Sequence, residues 1–93
     1  MTVIVRLPGA LREATGGKTR LEARAGTLAD VISDIEGRHP GFRARVLDDS
    51  GAIRTYVNVY IGDDDARAKG GTGAAVPDGS EVMVIPAMAG GVV

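Results

Sequence analysis

The run Gly90-Gly91-Val92-Val93 closes the chain and holds its plainest chemical possibility. Two residues without a Cβ can thread a narrow channel and take φ values barred to other side chains. A frayed terminus needs no glycine pair, although termini are often mobile whatever their composition. The two valines complicate the picture. They lock the Gly91 carbonyl in a peptide bond and move the free carboxylate onto a β-branched residue. Elsewhere the candidates are thinner. Asp63, Asp64 and Asp65 cluster three carboxylates, but no ligand spacing is completed around them, and a solvated turn accounts for them. The stretch KGGTG lacks the Gly-Lys-Ser/Thr ending of a phosphate loop and reads as a flexible loop. His39, the single histidine, stands beside Pro40 at an expected helix end, where it suits the helix dipole better than catalysis. Arg38, Arg43 and Arg45 read as a solvated basic face. Nothing internal resembles an active site.

Composition narrows the function classes. At 93 residues the chain builds one domain with one modest core. Hydrophobic residues make up 44% but aromatics only 3%, so that core must be aliphatic. Eleven basic side chains face twelve acidic ones. Such balance provides no basic face for phosphates, and so few aromatics provide no stacking platform for bases, so no nucleic-acid partner is expected. The absence of cysteine excludes disulfides, thiolate nucleophiles and cysteine metal sites. The opening MTVIVRLPGALREA has no signal-peptide pattern, and no stretch approaches the ~20 apolar residues that span a bilayer. A cytoplasmic protein with no membrane partner is the expectation.

The elements that must position the terminus follow from periodicity. Residues 2–8 read as a strand with Val3, Val5 and Leu7 on one face and Ile4 and Arg6 on the other. A short helical turn leads to Gly16-Gly17, and KTRLEAR returns as a second strand. The helix signal is clearest after that. Thr27 and Asp30 form a capping-box pair, and Leu28, Val31, Ile32 and Ile35 make one apolar stripe. Gly37 and Pro40 mark its stop. FRARVLDDSG fits either a short helix or an irregular crossing. Val57, Val59 and Ile61 alternate with Tyr56, Asn58 and Tyr60 in a third strand, with residues 62–65 as the turn after it. Pro77-Asp78-Gly79 is a turn, and EVMVIPA is the last strand, stopped by Pro86. This order predicts an α+β fold, a mixed four- to five-stranded sheet with one main helix packed across one face. Residues 1–86 would form the domain and residues 87–93 a flexible tail. If the helix covers Val57, Val59, Ile61, Val82 and Val84, then Tyr60, Met83 and Ile85 face outward as an apolar patch beside that tail.

With DGSEVMVIPAMAGG near its end, this assembly resembles the ThiS/MoaD family of ubiquitin-like sulfur carriers. The family pattern is an Asp-Gly turn, a final apolar strand followed by proline, and a Gly-Gly tail. Here these are Asp78-Gly79, residues 81–85, Pro86 and Gly90-Gly91. YVNVYIGDDDAR resembles the family's third main strand, and the likeness covers essentially the whole chain. IPAMAGG and VNVYIGDDDAR are more similar to the carrier of the cysteine biosynthesis branch than to the small subunit of molybdopterin synthase.

The resemblance implies a β-grasp fold, with the first and last strands parallel at the centre of the sheet. It also implies a chemistry. An adenylating enzyme uses ATP to convert the terminal glycine carboxylate to an acyl-adenylate, sulfur displaces AMP, and the thiocarboxylate donates sulfur to an acceptor held by a synthase. Gly91 would be the reacting residue and Gly90 part of the channel-threading tail. The carrier binds no cofactor, holds no metal and is not itself an enzyme. The resemblance further implies a zinc metalloprotease that cuts Gly91–Val92 and removes Val92-Val93 before activation. Tyr60, Met83 and Ile85 would dock the adenylating enzyme. Three other readings stay open: a ubiquitin-like modifier that forms isopeptide bonds, the molybdopterin synthase small subunit, and an interaction module with an idle tail.

Overall fold

The structure is a computed structural model and describes residues 2–86. Thr2–Arg6 forms β1, whose alternation buries Val3 and Val5, and Leu7 extends the buried set. A 3-10 helix spans Gly9–Thr15. Gly16 and Gly17 then take φ of 66° and 92°, values that favour glycine, and reverse the chain. The buried Thr15 hydroxyl donates to the Lys18 carbonyl at 2.7 Å and steadies that reversal. Arg20–Arg24 (β2) returns antiparallel to β1, with Val5 opposite Leu21 and Val3 opposite Ala23.

Gly26–Thr27 (β3) leads into the main helix, Leu28–Arg38 (α1). The expected capping box is present. The Asp30 amide donates to Thr27 Oγ1 at 3.2 Å, and the Thr27 amide donates to Asp30 Oδ2 at 3.0 Å. Leu28, Val31, Ile32 and Ile35 are all buried, so the apolar stripe lies on the core. Gly37 does not stop the helix, contrary to its reading from sequence; α1 runs through it to Arg38. Pro40 provides the stop. A residue before proline is pushed out of the helical region, and His39 sits at φ −134°, ψ 79°.

The ambiguous FRARVLDDSG resolves into a short helix, Phe42–Val46 (α2), which buries Phe42 and Val46. Glu36 reaches over from α1 to accept hydrogen bonds from the amides of Gly41 and Arg43. These bonds, Arg43 first, hold its carboxyl below the ordinary range. Val57–Ile61 (β4) follows. The turn after it is shorter than residues 62–65, because Asp64–Asp65 (β5) folds back and pairs with Ile61 and Tyr60. Gly62, at φ 62°, takes the first central position of this two-residue hairpin, where a positive φ matches the strand twist.

The glycine-rich segment after it is also more ordered than a flexible loop. It contains 3-10 turns at Ala66–Lys69 and Gly71–Gly73 and a short strand, Ala75–Val76 (β6), antiparallel to β3. Ala74 and Val76 are buried there, and the Leu28 amide donates to the Ala74 carbonyl at 2.9 Å. Two-residue strands leave no periodicity in a sequence, so this small sheet was invisible to pattern reading.

Glu81–Pro86 (β7) enters the middle of the main sheet, whose order is β2-β1-β7-β4-β5. It runs parallel to β1 and antiparallel to β4. The sheet is therefore mixed and five-stranded, with the helices packed across its inner face, and the fold is the β-grasp. The core is aliphatic apart from Phe42. No helix among the described residues is long and apolar enough to cross a membrane.

The capping box makes a testable statement. Thr27→Ala is expected to cost about 1 kcal/mol in chemical denaturation. The Asp30 carboxyl is held below its ordinary value of 3.8, chiefly by the Thr27 backbone hydrogen bond. Its stabilising effect is thus present above that value and fades as pH falls through the lower, folded value. The deficit of Asp30→Ala relative to the parent should accordingly be steady at neutral pH and shrink in acid, read from denaturation curves across that range.

Candidate docking face and carboxyl terminus

The outer face of the sheet is built by the register of β4 and β7. Val59 pairs with Val84 and Ile61 with Val82; Val59, Val82 and Val84 are buried, and Ile61 packs on the core from a half-buried position. The intervening residues point the other way. Tyr60 stands opposite Met83, and Asn58 stands opposite Ile85. Met83 is 38% exposed and Ile85 36%, unusual values for apolar side chains on a central strand. Tyr60 is only half-buried, because Met83 flanks it on one side and Asp65 is its register partner on the other. The structure thus brings the three expected patch residues together, with Met83 and Ile85 as its open part.

Two features of this face were missed. Among the described residues Tyr56 is the most exposed large hydrophobic one, at 49%, and the Arg54 guanidinium lies 5.9 Å from its ring centroid. Tyr56 directly precedes Val57, whose register partner is Pro86, so it sits where β7 ends. The alternation that singled out Tyr60 contains Tyr56 too. The second feature is a groove beside the patch, where Arg6, Leu7, Pro8 and Arg20 approach Met83 and Ile85. It arises because β1, β2 and β7 meet at one end of the sheet, which no local pattern reveals.

The Asp78-Gly79 turn has a structural task. Asp78 Oδ1 accepts the Thr2 amide at 2.8 Å, and the Gly79 amide donates to the Thr2 carbonyl at 2.9 Å. The Ser80 amide closes the turn onto the Pro77 carbonyl at 3.0 Å, with Gly79 at φ 83°. The turn fastens the start of β7 to the start of β1.

Several charged side chains, Arg38, Arg45, Asp64 and Asp65 among the candidates, are engaged in the scaffold. Arg38 donates to the Glu22 carbonyl at 2.6 Å and lies 3.2 Å from Asp34, tying α1 to β2. Arg45 lies 3.9 Å from Glu13. Arg67 donates to the carbonyls of Arg54 and Val57 and joins the segment before β4 to the 3-10 turn after β5. Asp65 caps that turn through the Arg67 amide, and Asp64 lies 3.6 Å from Lys69. Among the described residues no cluster of His, Asp or Glu is placed to hold a metal ion. Gly90, Gly91, Val92 and Val93 lie outside the described residues.

Comparison with known proteins agrees with this architecture. The model of the ThiS family matches residues 5–91. The sulfur carrier protein CysO of Mycobacterium tuberculosis is 42% identical over 93 residues, covering 98% of this chain and 100% of the relative. The crystal structure of the BexX/CysO complex from Amycolatopsis orientalis contains a chain that is 39% identical, with a TM-score of 0.89 over 94% of this chain and 97% of that one. Small archaeal modifier protein 3 of Haloferax volcanii is 31% identical, covering 98% of this chain and 100% of the relative. The β-grasp sheet, the fastened Asp78-Gly79 turn and these matches lead to one assignment: the chain belongs to the ThiS family, as a sulfur carrier protein and not an enzyme.

Proposed function

We propose that Gly91 carries the sulfur, as a thiocarboxylate formed after Val92-Val93 is removed, and that the recipient pathway is cysteine biosynthesis. The observation that carries this reading is the family match, which ends on Gly91 and leaves the two valines beyond it. An adenylating enzyme supplies the catalysis. The Gly91 carboxylate oxygen attacks the α-phosphorus of ATP and expels pyrophosphate, giving an acyl-adenylate. A sulfur nucleophile then attacks the acyl carbon, and AMP leaves. A synthase holds the electrophilic acceptor to which the thiocarboxylate sulfur is passed. The glycine pair suits each step, because no Cβ obstructs approach of nucleotide, sulfur donor or acceptor.

A zinc metalloprotease is the processing partner in this reading. A zinc-bound water adds to the Gly91 carbonyl and the Val92 amine departs, which frees the glycine carboxylate. The adenylating enzyme docks on Met83, Ile85 and Tyr60, the apolar patch on the outer face, and the cell compartment is the cytoplasm.

The modifier reading has one observation in its favour, the likeness to small archaeal modifier protein 3. It uses the same adenylate but ends in an isopeptide bond to lysine. Intact-mass analysis of protein from its own cells separates the two: a free thiocarboxylate marks a carrier, and lysine-linked adducts mark a modifier.

Two further experiments follow. Residues 1–93 and residues 1–91 are offered to the adenylating enzyme with ATP and a sulfide source. Only the shorter form should gain a thiocarboxylate, and the protease should rescue the longer one. Equal activity of the two forms would remove the precursor step, and inactivity of both would remove Gly91 as the sulfur site. Separately, Met83→Asp combined with Ile85→Asp should leave the circular dichroism spectrum unchanged and abolish adenylation. An undiminished rate in a folded double variant contradicts docking through this patch.

A further inference from the structure

A pair of cations stands at one end of the outer face of the main sheet. Where β1 ends and β2 begins stand Arg6 and Arg20, with Lys18 in the reversal beyond them. At the opposite end Asp63 and Asp78, in the β4–β5 hairpin and the turn into β7, stand with a third cation, Arg24, at the end of β2. The chain as a whole has a formal charge of −1, so composition hides this local pairing of cations. Arg6 and Arg20 are direct register partners on antiparallel strands. That placement brings Cβ atoms to about 5 Å and sets two like charges against each other. Glu81 pairs with Arg6, whereas among the described residues no carboxylate pairs with Arg20. Both arginines flank the apolar groove at Met83 and Ile85.

We propose that Arg6 and Arg20 are positioning residues: they receive a carboxylate that the adenylating enzyme presents beside an aliphatic side chain seated in the groove. The contact fixes which end of the sheet faces that enzyme's catalytic centre. This inference rests on the docking reading above. Burial of an apolar patch is non-directional, so it does not distinguish the docked domain from the same domain turned half-way round. A guanidinium pair at one end of the groove, with mixed charge at the other end of the sheet, does distinguish them. The arginine pair also marks the end toward which β7 runs, because β7 is parallel to β1 and passes Arg6 at Met83. The orientation that satisfies the arginines is therefore the one in which β7 runs toward the enzyme. Glu81 already serves Arg6, and a carboxylate that reaches Arg20 supplies the partner the second guanidinium lacks and further relieves the repulsion between them.

The test measures binding of the full 93-residue chain, and of its 1–91 form alongside, to the adenylating enzyme at low and high salt. Arg20→Glu should raise Kd roughly tenfold at low salt and flatten the salt dependence. Arg24→Glu, the same change at the far end of the same strand, should alter Kd by less than about twofold. Thermal melts accompany each variant, and Arg20→Gln replaces Arg20→Glu if the reversal unfolds the chain. Equal losses in the Arg20 and Arg24 variants, or no loss in the Arg20 variant, overturn the positioning role. The Met83→Asp, Ile85→Asp double variant separates the two layers. If it binds like the parent, the docking face itself is wrong. If it fails to bind while Arg20→Glu is silent, only the arginine assignment falls.

Discussion

The parallel pairing of β1 with β7 is the constraint on which everything else in this molecule depends. It joins residues from opposite ends of the sequence, Ile4 to Glu81 and Arg6 to Met83, at the centre of the sheet. A parallel pair cannot be made by a tight hairpin and needs a long connection, here most of the chain. The Asp78-Gly79 turn sets the register by holding both polar groups of the Thr2 backbone, and the Ile4 amide donates to the Ser80 carbonyl at 3.0 Å. A slip of one residue would turn Val82 and Val84 to solvent and drive Met83 and Ile85 into the core. The same few bonds thus decide both the interior and the exposed patch.

Covering only one face of the sheet divides the labour within the domain. The stripe of α1, with Phe42 and Val46 of α2, closes the inner face over the core, with Ile61 half-buried. The outer face keeps apolar side chains at its centre and charge at its ends. On the proposed reading the reacting group is Gly91 and the partners supply the chemistry, so the domain needs no internal catalytic pocket. Its requirement is a rigid body that can be recognised from outside. Polar residues serve that body: Asp65, one of the three clustered carboxylates, caps a turn, Arg67 clamps a loop to the start of β4, and Glu36 caps α2.

Much of this was legible in the sequence because it is written in short-range patterns. The period-two alternations of residues 2–8 and 57–61, the Thr27–Asp30 capping box and the i, i+3, i+4, i+7 stripe are local consequences of backbone geometry. They determined the strands, the helix and which of their faces is buried, and so which residues of β4 and β7 turn outward. The glycine pair, being a matter of residue type, was equally plain.

Tertiary structure decided what depends on contacts between distant segments. Gly37 looked like a helix stop, yet Pro40 ends α1, because a proline constrains the residue before it while a glycine merely permits a bend. The β3–β6 pair and the return of β5 involve two residues each, too few to carry a period, and they exist because neighbouring segments offer unpaired backbone groups. The facing of Arg6 against Arg20 is likewise unwritten locally. Residue types and spacing determine which side of a strand faces inward. Which strands become neighbours, and therefore which charges and apolar groups share a surface, is settled only when the chain closes its long connection and the core excludes water.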